Sequence, residues 1–429
     1  MIATVKQLAD ILSEHNIGLG TRNNWPSNYL RLMTPYFRCI REGRLDEVPA
    51  PVCVQMQVST ACSTRCAMCH HWKEASVEMP LDQWQRVFDD VARFGARTVI
   101  FSGGEPLMRK DLPELLRSAR RCGLRLGLLT NATMTSRELN ERHRVIAAIA
   151  ECTDWVSISV DGTRSSDLAI RNPMVEDREH LVREFVSGLR AANERIKIWA
   201  TVTLQKGNIE MDFGEACRFI RETLGISEVN FKIATGARSA LQHDPPYLLS
   251  EDELIRLVNF LHQDPLPDQD GNQLAYLRQC FSQKLFNIRD SAQGAPLRRF
   301  YREQSLRCFT PFLFSLIDSD GEVYPCCHLY RDNQGADPRS RYFRKEHSMG
   351  NILRAGFSAV WNGDRYVAER VALEKINPDD PRFLPCGECT RHCQHNLVLT
   401  EVYRNFEDDL SELERELATL PDESDPVFF

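Results

Sequence analysis

The chain has 429 residues, which exceeds one ordinary single-core domain and suits a large barrel with an extension. Its formal net charge is −7 and it has no basic run interleaved with aromatic residues, so nucleic acid is not an expected partner. No stretch approaches the roughly 20 apolar residues of a membrane span, and the first residues lack the apolar core of a signal peptide. We therefore expect a cytoplasmic protein with no membrane partner.

Cysteine is frequent, with 15 residues in the chain. In a reducing compartment such a count indicates metal binding or catalysis rather than a framework of disulfides. Nine cysteines fall into two groups, at positions 62, 66 and 69 and at positions 308, 326, 327, 386, 389 and 393. The others are scattered, and we interpret them as small buried apolar residues.

Six candidate strands alternate with six candidate helices in the first two thirds of the chain. The strands are predicted at residues 52–59, 98–104, 124–132, 154–162, 197–205 and 228–236. The helices are predicted at residues 80–94, 111–122, 135–150, 176–194, 212–224 and 250–263. Such alternation predicts parallel strands with helices outside them, and six units fall short of the eight that close a full barrel. The expected fold class is therefore α/β, a partial (β/α)6 TIM-like barrel.

Polar side chains recur on one face of four predicted strands. Because successive side chains of a strand point to opposite faces, the residues that would line the barrel are Gln55, Gln57, Ser59, Ser157, Ser159, Asp161, Thr201, Thr203, Gln205, Asn230 and Lys232. The opposite face carries Val, Ile, Leu and Met, which suits packing under helices. The pattern favours a wet cavity for a polar ligand. The alternative is that these groups satisfy one another's hydrogen bonds.

The alternation of strands and helices stops near residue 265, and the rest of the chain has a different composition. We expect a helical N-terminal segment at 1–49, the partial barrel at 50–265 and a linker or helical bridge at 266–305. A cysteine-rich domain of short strands and turns is expected at 306–396, followed by an acidic helix and tail at 397–429.

Cys62, Cys66 and Cys69 form a C-x3-C-x2-C motif in "STACSTRCAMCHHW", directly after the first predicted strand. The motif therefore lies at the carboxyl end of that strand, on the face where barrel enzymes carry their chemistry. Three thiolates can hold three irons of a [4Fe–4S] cluster and leave the fourth iron open to a small molecule. Zinc bound by the same cysteines is the structural alternative.

The motif resembles the signature of the radical S-adenosylmethionine (radical SAM) superfamily. "FSGGEP" ends the second strand, where the family has its Gly-Gly-Glu motif, and "ISVDG" ends the fourth strand, where the family has ribose-binding groups. The glycines let backbone approach a ligand closely, and Glu105 would accept a hydrogen bond from the SAM ammonium. The resemblance implies SAM binding by Met68, Gly103, Gly104, Glu105, Ser159, Asp161, Thr203 and Gln205.

The resemblance also implies a reaction. The cluster would donate one electron to bound SAM, and the resulting 5′-deoxyadenosyl radical would abstract a hydrogen atom from an unactivated C–H bond. A reducing partner such as a flavodoxin or ferredoxin would supply the electron. A non-enzymatic iron–sulfur electron carrier is the alternative from another class, but it would have no use for Glu105 or the "ISVDG" motif.

The second group of cysteines resembles the twitch/SPASM extension of radical SAM enzymes. After Cys308 it contains "DSDGEVYPCC", "MGNILRAGFSAVWNGDRY" and "PCGECTRHC". Six cysteines rather than seven indicate the shorter twitch type with one auxiliary [4Fe–4S] cluster, and a zinc knuckle is the alternative. Neighbouring residues of a strand point to opposite faces, which disfavours joint ligation by adjacent cysteines. The resemblance implies ligation by Cys308, Cys326, Cys386 and Cys389, with Cys327 and Cys393 as alternates.

The polar lumen favours a small hydrophilic substrate such as a sugar, aminoglycoside or nucleoside. Such a substrate would be oxidised, epimerised or rearranged in natural-product biosynthesis, with the auxiliary cluster aiding electron transfer. Maturation of a ribosomally made peptide or protein is the alternative. Lys232 is the expected catalytic residue, because burial in the lumen would lower its pKa toward that of a general base. A salt bridge with a carboxylate such as Asp161 is its alternative role.

Overall fold

The structure is a computed structural model, and it divides the chain into two compact units. The barrel unit comprises Ala50–Gln273 and Phe314–Trp361, and the helical unit comprises Met1–Pro49, Leu274–Leu313 and Asn362–Phe429. The structure describes residues 25–69, 71–73, 77–134, 138–234, 247, 249–250, 252–253, 256–257, 307–327, 347–375, 399–400, 403–404 and 410–419.

A nine-stranded sheet forms the centre of the barrel unit within the described residues. Its strands are β1 (Cys53–Ser59), β2 (Thr98–Gly103), β3 (Arg125–Thr130), β4 (Trp155–Ser159), β5 (Lys197–Leu204), β6 (Glu228–Ile233), β7 (Phe314–Ile317), β8 (Glu322–Tyr324) and β9 (Gly350–Asn351). Their order is β6-β5-β4-β3-β2-β1-β7-β8-β9, and β1 to β6 pair in parallel. The predicted α/β fold with an open, partial barrel is confirmed.

The sheet continues beyond β1 in a way that the strand pattern did not predict. β7 pairs in parallel with β1, and β8 and β9 follow in antiparallel order. The turn between β7 and β8 closes with a hydrogen bond of 2.9 Å from the N–H of Gly321 to the carbonyl of Asp318. Gly321 has a φ of +85°, which glycine adopts without a steric penalty. Short strands of the cysteine-rich segment therefore belong to the barrel sheet.

Helices are present in both units. In chain order they are α1 (Trp25–Arg41), α2 (Leu81–Phe94), α3 (Leu112–Arg121), α4 (Leu139–Cys152), α5 (Arg164–Arg171), α6 (Arg178–Ala192), α7 (Phe213–Arg218), α8 (Thr310–Leu313), α9 (Ile352–Ala355), α10 (Phe357–Trp361), α11 (Asp364–Ala372) and α12 (Leu410–Ala418). A π-helical turn, Phe219–Thr223, continues α7. Within the described residues, no helix is long and apolar enough to cross a membrane.

One part of the helix pattern differs from the prediction, and another part lies mostly outside the described residues. The sequence predicts one helix between the fourth and fifth strands, whereas the structure has both α5 and α6 there. The predicted linker at 266–305 lies outside the described residues, and of the predicted helix at 250–263 only short pieces are described.

Local sequence explains where several helices begin and end. The side chain of Thr163 accepts a hydrogen bond from the N–H of Ser166 at the start of α5, and Asp212 does the same for Glu215 at the start of α7. Helix α2 ends at Gly95, whose φ of +111° lies in the left-handed region. Side-chain caps thus start α5 and α7, and Gly95 ends α2 shortly before β2 begins at Thr98.

The face of the sheet that meets the helices is apolar. Phe101 of β2 stacks on Phe88 of α2 with 5.6 Å between ring centroids, and Phe231 of β6 contacts Phe213 of α7 at 5.5 Å. Burying side chains of this size stabilises the fold by roughly 1.5–3 kcal/mol each. Other buried residues of this face are Val54, Met56, Val58, Val99, Leu126, Leu128, Val156, Ile158, Ala200, Val202 and Val229.

The inner face of the sheet combines polar groups with an aromatic layer. Ser157 and Thr201 share a hydrogen bond of 2.8 Å, so β4 and β5 turn these polar residues to the same side. Closer to the amino ends of these strands, Trp155 stacks on Trp199 at 4.8 Å and its ring lies over Gly127. The sequence pattern indicated polar residues on this face and did not single out the tryptophans. The tryptophans fit because Gly127 has no side chain.

The inner face is more exposed at β5 and β6 than at β1. Gln55 and Gln57 of β1 are 7% and 2% exposed. Thr201 and Thr203 of β5 are half-buried, and Lys232 of β6 is exposed. Within the described part of the chain, the lumen is therefore open to solvent along β5 and β6.

An aromatic core and one buried arginine connect the described parts of the helical unit. Phe37 of α1 contacts Phe309 at 5.8 Å and Tyr403 at 5.5 Å between ring centroids. Arg370 of α11 is buried and donates a hydrogen bond of 2.7 Å to the carbonyl of Leu45. Burial lowers the pKa of Arg370 to about 10, so the guanidinium stays charged at neutral pH. Arg370 thus ties α11 to the segment that follows α1.

Gly127→Ala should destabilise the barrel unit, because the added Cβ would lie 2.0 Å from the ring of Trp155. The ring would have to leave its stack on Trp199, at a cost of about 1–3 kcal/mol. Gly188→Ala in α6 is the matched control, since its Cβ would meet the Ile146 side chain at 3.1 Å and alanine favours helix. Urea denaturation measures both, and equal stability of the two variants would contradict the aromatic layer.

Candidate functional site

The three cysteines of the first group share one compact loop after β1. Cys66 is buried, and Cys62 and Cys69 are half-buried. The Sγ atoms of Cys62 and Cys66 each lie 3.3 Å from Thr64 Oγ1. The N–H of Cys69 donates a hydrogen bond of 3.1 Å to the carbonyl of Cys66. The loop therefore gathers three potential thiolate ligands at the carboxyl end of β1.

Hydrogen-bond donors approach two of the sulfur atoms. Asn131 Nδ2 lies 3.8 Å from Cys62 Sγ, and Arg171 Nη1 lies 3.8 Å from Cys66 Sγ. Burial raises the pKa of the Cys62 thiol and the charge of Glu105 adds to the effect, whereas a coordinated metal ion deprotonates a thiol. Donors and a cation beside sulfur favour the thiolate form. The loop thus fits a cluster that is held by cysteine thiolates.

Backbone hydrogen bonds fix this loop to the end of α5. The N–H of Arg65 donates to the carbonyl of Arg171 at 3.1 Å, and the N–H of Ala67 donates to the carbonyl of Ile170 at 3.2 Å. Asn172 ends α5 with a φ of +39°, in the left-handed region that asparagine tolerates. The short helix α5, which the sequence did not predict, therefore supports the cysteine loop.

The two glycines of the Gly-Gly-Glu motif allow β2 to contact the same loop. The N–H of Gly104 donates to the carbonyl of Ser59, and the N–H of Glu105 donates to the carbonyl of Ala61, both at 2.7 Å. A Cβ on Gly103 would lie 2.1 Å from the oxygen of Ser59, and one on Gly104 would lie 2.2 Å from the oxygen of Ala61. Close backbone packing therefore requires both glycines, whatever ligand they also approach.

Glu105 is completely buried, and its carboxylate holds the end of β3. Its Oε1 accepts hydrogen bonds from the hydroxyl of Thr130 at 2.6 Å and the N–H of Leu107 at 3.0 Å, and its Oε2 accepts from the N–H of Asn131 at 2.6 Å. Burial raises the pKa of Glu105 to about 7 against the opposing effect of these donors. The contact of Glu105 with the SAM ammonium stays a prediction beside this structural role.

Asp161 is completely buried at the end of β4, and both of its carboxylate oxygens have protein partners. Oδ1 accepts from the N–H of Thr203 at 2.8 Å, and Oδ2 lies 2.8 Å from Arg171 Nη2. The carbonyl of Ser159, a half-buried residue, accepts a hydrogen bond of 2.7 Å from Arg178. Asp161 thus joins the end of β5 to α5, and ribose binding by Ser159 and Asp161 stays a prediction.

The structure brings three predicted SAM-binding residues together at the end of β5. Gln205 Nε2 lies 3.5 Å from Met68 Sδ. The N–H of Gln205 donates to Asn208 Oδ1 at 2.8 Å, and Asn208 Nδ2 donates to the carbonyl of Thr203 at 3.0 Å. Asn208, which the sequence did not indicate, therefore organises the turn that places Thr203 and Gln205 beside the cysteine loop.

Lys232 does not have the environment that the sequence predicted. It lies beside Thr203 in the ladder of β5 and β6, but it is exposed to solvent. The expectation of a buried lysine was wrong because β6 ends the sheet, so no further described strand covers its inner face. Asp161, its suggested salt-bridge partner, pairs with Arg171.

Three residues that the sequence did not indicate organise the site. Asn131 follows β3 and binds Glu105 through its N–H. Arg178 donates to the carbonyl of Asn131 at 2.6 Å and to Asp167 Oδ2 at 2.7 Å, and Arg171 reaches the cysteine loop. The rule that polar residues at the carboxyl ends of parallel strands face the site could have found Asn131. The arginines carry no such signal, because they come from the helical layer.

The second group of cysteines lies only partly within the described residues. Cys308 of the helical unit is buried. In the barrel unit Cys327 packs in a small core with Leu316 and Tyr324, whereas Cys326 is half-buried. Cys386, Cys389 and Cys393 lie outside the described residues. Ligation of an auxiliary cluster by Cys308, Cys326, Cys386 and Cys389 therefore stays a prediction.

Comparison with known proteins identifies both halves of this arrangement. The family model of the radical SAM superfamily matches residues 56–220, and that of the SPASM iron–sulfur cluster-binding domain matches residues 308–393. The chain is 33% identical over 349 residues to AdoMet-dependent heme synthase of Methanosarcina barkeri (strain Fusaro / DSM 804). This alignment covers 79% of this chain and 88% of the relative.

Two further similarities are local in sequence or limited to the fold. The chain is 37% identical over 120 residues to PqqA peptide cyclase of Rhodopseudomonas palustris, and that alignment spans only 30% of the cyclase and 27% of this chain. The crystal structure of Streptococcus suis SuiB bound to precursor peptide SuiA superposes with a TM-score of 0.54 at 15% identity, covering 94% of this chain and 86% of SuiB.

The site and the comparisons define an enzyme that uses an iron–sulfur cluster and S-adenosylmethionine. The chain belongs to the radical SAM superfamily and carries a SPASM domain. Its cofactors are SAM and a [4Fe–4S] cluster, together with auxiliary iron–sulfur binding in the SPASM domain. Cys62, Cys66 and Cys69 are the residues of this chain that would hold the SAM-binding cluster.

Alanine substitution of Cys62, Cys66 or Cys69 should lower the iron content by about four atoms per chain, because a cubane cluster that loses one protein ligand is not retained. Cys217→Ala is the matched control, since Cys217 is buried in α7 outside both cysteine groups. Iron and sulfide are quantified after anaerobic reconstitution. Full iron content in any of the first three variants would contradict the ligand assignment.

Glu105→Gln should destabilise the protein by about 1–3 kcal/mol, because one acceptor oxygen would become an amide donor that faces Thr130 or Asn131. The substitution should also alter the pH dependence of the free energy of unfolding. The pKa of Glu105 is raised from 4.5 to about 7, so between these values the native protein holds a proton that the unfolded chain has released. Native stability should therefore fall as the pH rises through this interval.

Urea denaturation at several pH values from about 4.5 to 7 measures this effect. Glu105→Gln lacks the titrating carboxyl and should show a flatter dependence. Glu114→Gln removes an exposed carboxylate that pairs with Arg144 and should keep the native slope. The same slope in the native protein and in Glu105→Gln would contradict the raised pKa.

Proposed function

We propose that this enzyme modifies a peptide or protein by abstracting a hydrogen atom from one of its C–H bonds. When bound, the cluster and SAM supply the electron and the 5′-deoxyadenosyl group that removes the hydrogen. A flavodoxin or ferredoxin would deliver the electron, and the auxiliary cluster would assist electron transfer. The protein holds and orients these groups and controls access to them.

The residues of this chain divide that work between them. Cys62, Cys66 and Cys69 would hold the cluster as thiolates on a loop that α5 and the Gly-Gly-Glu segment fix in place. Glu105 fixes the end of β3 beside the loop, and Asp161 fixes the end of β5. A cluster on this loop and SAM at these strand ends would therefore share one rim at the mouth of the barrel.

The observation that carries the proposal is that, among the described residues, the inner face of the sheet is exposed to solvent along β5 and β6. Gln57 of β1 is buried, Thr203 of β5 is half-buried and Lys232 of β6 is exposed. A substrate that enters from this side can extend beyond the lumen while one of its groups reaches the rim. A peptide has that shape. Lys232 would contact it at the entrance rather than at the reacting carbon.

Relatives favour a peptide over the sugar-type substrate that the polar lumen suggested. The local match to PqqA peptide cyclase supports peptide chemistry. A tetrapyrrole is the second candidate substrate. The observation in its favour is the long alignment with a heme synthase, which spans 88% of that relative.

Deuterium transfer distinguishes the candidates. The anaerobically reconstituted full chain is incubated with SAM, dithionite and deuterated synthetic peptides from the short reading frames beside its gene. Parallel reactions contain deuterated iron coproporphyrin III, the compound in the name of another relative, Fe-coproporphyrin III synthase of Methanosarcina barkeri (strain Fusaro / DSM 804). Mass spectrometry measures deuterium in 5′-deoxyadenosine, and the Cys66→Ala variant controls for cleavage that does not depend on the cluster.

The proposal predicts that a peptide raises 5′-deoxyadenosine formation by about tenfold or more. The peptide should also transfer deuterium to 5′-deoxyadenosine and lose that deuterium atom itself. Deuterium transfer from iron coproporphyrin III, without transfer from any peptide, would replace the peptide by a tetrapyrrole. SAM cleavage that no peptide accelerates, with no deuterium transferred, would contradict the proposal.

A further inference from the structure

A buried arginine lies against one ligand of the SAM-binding cluster. Arg171 ends α5, and its side chain is 8% exposed. Its Nη1 is 3.8 Å from Cys66 Sγ, within the range for an N–H to sulfur hydrogen bond, and its Nη2 is 2.8 Å from Asp161 Oδ2. One guanidinium therefore contacts both the cysteine loop and the strand end where SAM is expected.

The backbone of Arg171 belongs to the same contact. Its carbonyl accepts from the N–H of Arg65, and the carbonyl of Ile170 accepts from the N–H of Ala67. Both donors lie on the cysteine loop, on either side of Cys66. These hydrogen bonds fix the position of the loop relative to Arg171. The fold therefore sets the distance from Arg171 Nη1 to Cys66 Sγ.

The positive charge of Arg171 persists despite its burial. Arginine stays protonated in proteins, and the carboxylates of Asp161 and Asp167 lie 2.8 Å and 3.8 Å from this guanidinium. Asp167 has a second cation, because Arg178 Nε lies 2.7 Å from Asp167 Oδ2. Of the two arginines, Arg171 is therefore the one whose charge faces the cysteine sulfur.

A cation and an N–H donor at a cluster sulfur act on electron transfer in a known direction. Reduction adds one negative charge to the cluster, and a nearby cation stabilises the more negative state. Hydrogen bonds to the sulfur atoms raise the reduction potential in the same way. The low dielectric of a buried site strengthens both effects.

We propose that Arg171 is a positioning residue that raises the reduction potential of the cluster held by Cys62, Cys66 and Cys69. Through Asp161, the same guanidinium links this cluster to the ends of β4 and β5. The proposal rests on the cofactor assignment and not on the identity of the substrate, because the potential is measured with no substrate present.

The test is a redox titration of the reconstituted full chain, followed by electron paramagnetic resonance. Arg171→Gln removes the charge, and Arg171→Lys keeps it but loses the planar group that spans Asp161 and Cys66. Arg164→Gln is the matched control, since it removes a positive charge from the same helix at an exposed position that pairs with Glu179.

Two measures assign the signal to the correct cluster. The variant in which Cys62, Cys66 and Cys69 are all alanine shows only the resonance signal of the iron–sulfur group in the SPASM domain. That signal is subtracted from the spectra of the other proteins. Addition of SAM then shifts the remaining signal, because SAM binds only the cluster with an open iron. Iron content and thermal unfolding are recorded for every variant, so loss of the cluster is not mistaken for a change in its potential.

We expect Arg171→Gln to lower the equilibrium constant for one-electron reduction about tenfold, which corresponds to about 59 mV. Arg171→Lys should lower it about threefold, and Arg164→Gln should leave it unchanged. An unchanged potential in Arg171→Gln with full iron content would overturn the proposal. If Arg171→Gln does not retain iron, Arg171→Lys decides, and a native potential in that variant overturns the proposal.

Discussion

The loop that carries Cys62, Cys66 and Cys69 has little regular structure of its own, and this constraint shapes the mouth of the barrel. Buried backbone N–H and C=O groups must find partners, so neighbouring elements supply them. The Gly-Gly-Glu segment binds one side of the loop through Gly104, and α5 binds the other. Glycines at the end of β2 and a short helix after β4 are therefore consequences of one requirement. A rigid three-cysteine loop needs backbone partners on both sides.

Buried charges extend this support beneath the loop. Glu105, Asp161 and Asp167 are all buried. Arg171 and Arg178, which come from helices, pair with Asp161 and Asp167, respectively. Buried ion pairs contribute little net stability, because desolvation offsets their attraction, but breaking one is costly. Their effect here is geometric. They hold the ends of β3, β4 and β5 at fixed positions around the cysteines, which is what a reaction that depends on placement requires.

Sequence patterns predicted the parts of this protein that repeat or that chemistry restricts. The six parallel strands follow from alternating apolar segments, and the cysteine loop follows from its spacing and its place after β1. Long-range effects were not predictable. β7 joins β1 across more than half of the chain, and the layer formed by Trp155 and Trp199 depends on the absence of a side chain at Gly127. Exposure of Lys232 depends on where the sheet ends, which no local pattern records.

The most direct test of this account is a crystal structure of the reconstituted protein with SAM, with anomalous diffraction data at the iron edge. The account predicts a cubane cluster with one iron bound to each of Cys62, Cys66 and Cys69 and the fourth iron bound to SAM at the rim of β2, β4 and β5. Glu105 should keep its contacts with Thr130 and Asn131. A single zinc ion in the loop, or a protein side chain on the fourth iron, would contradict it.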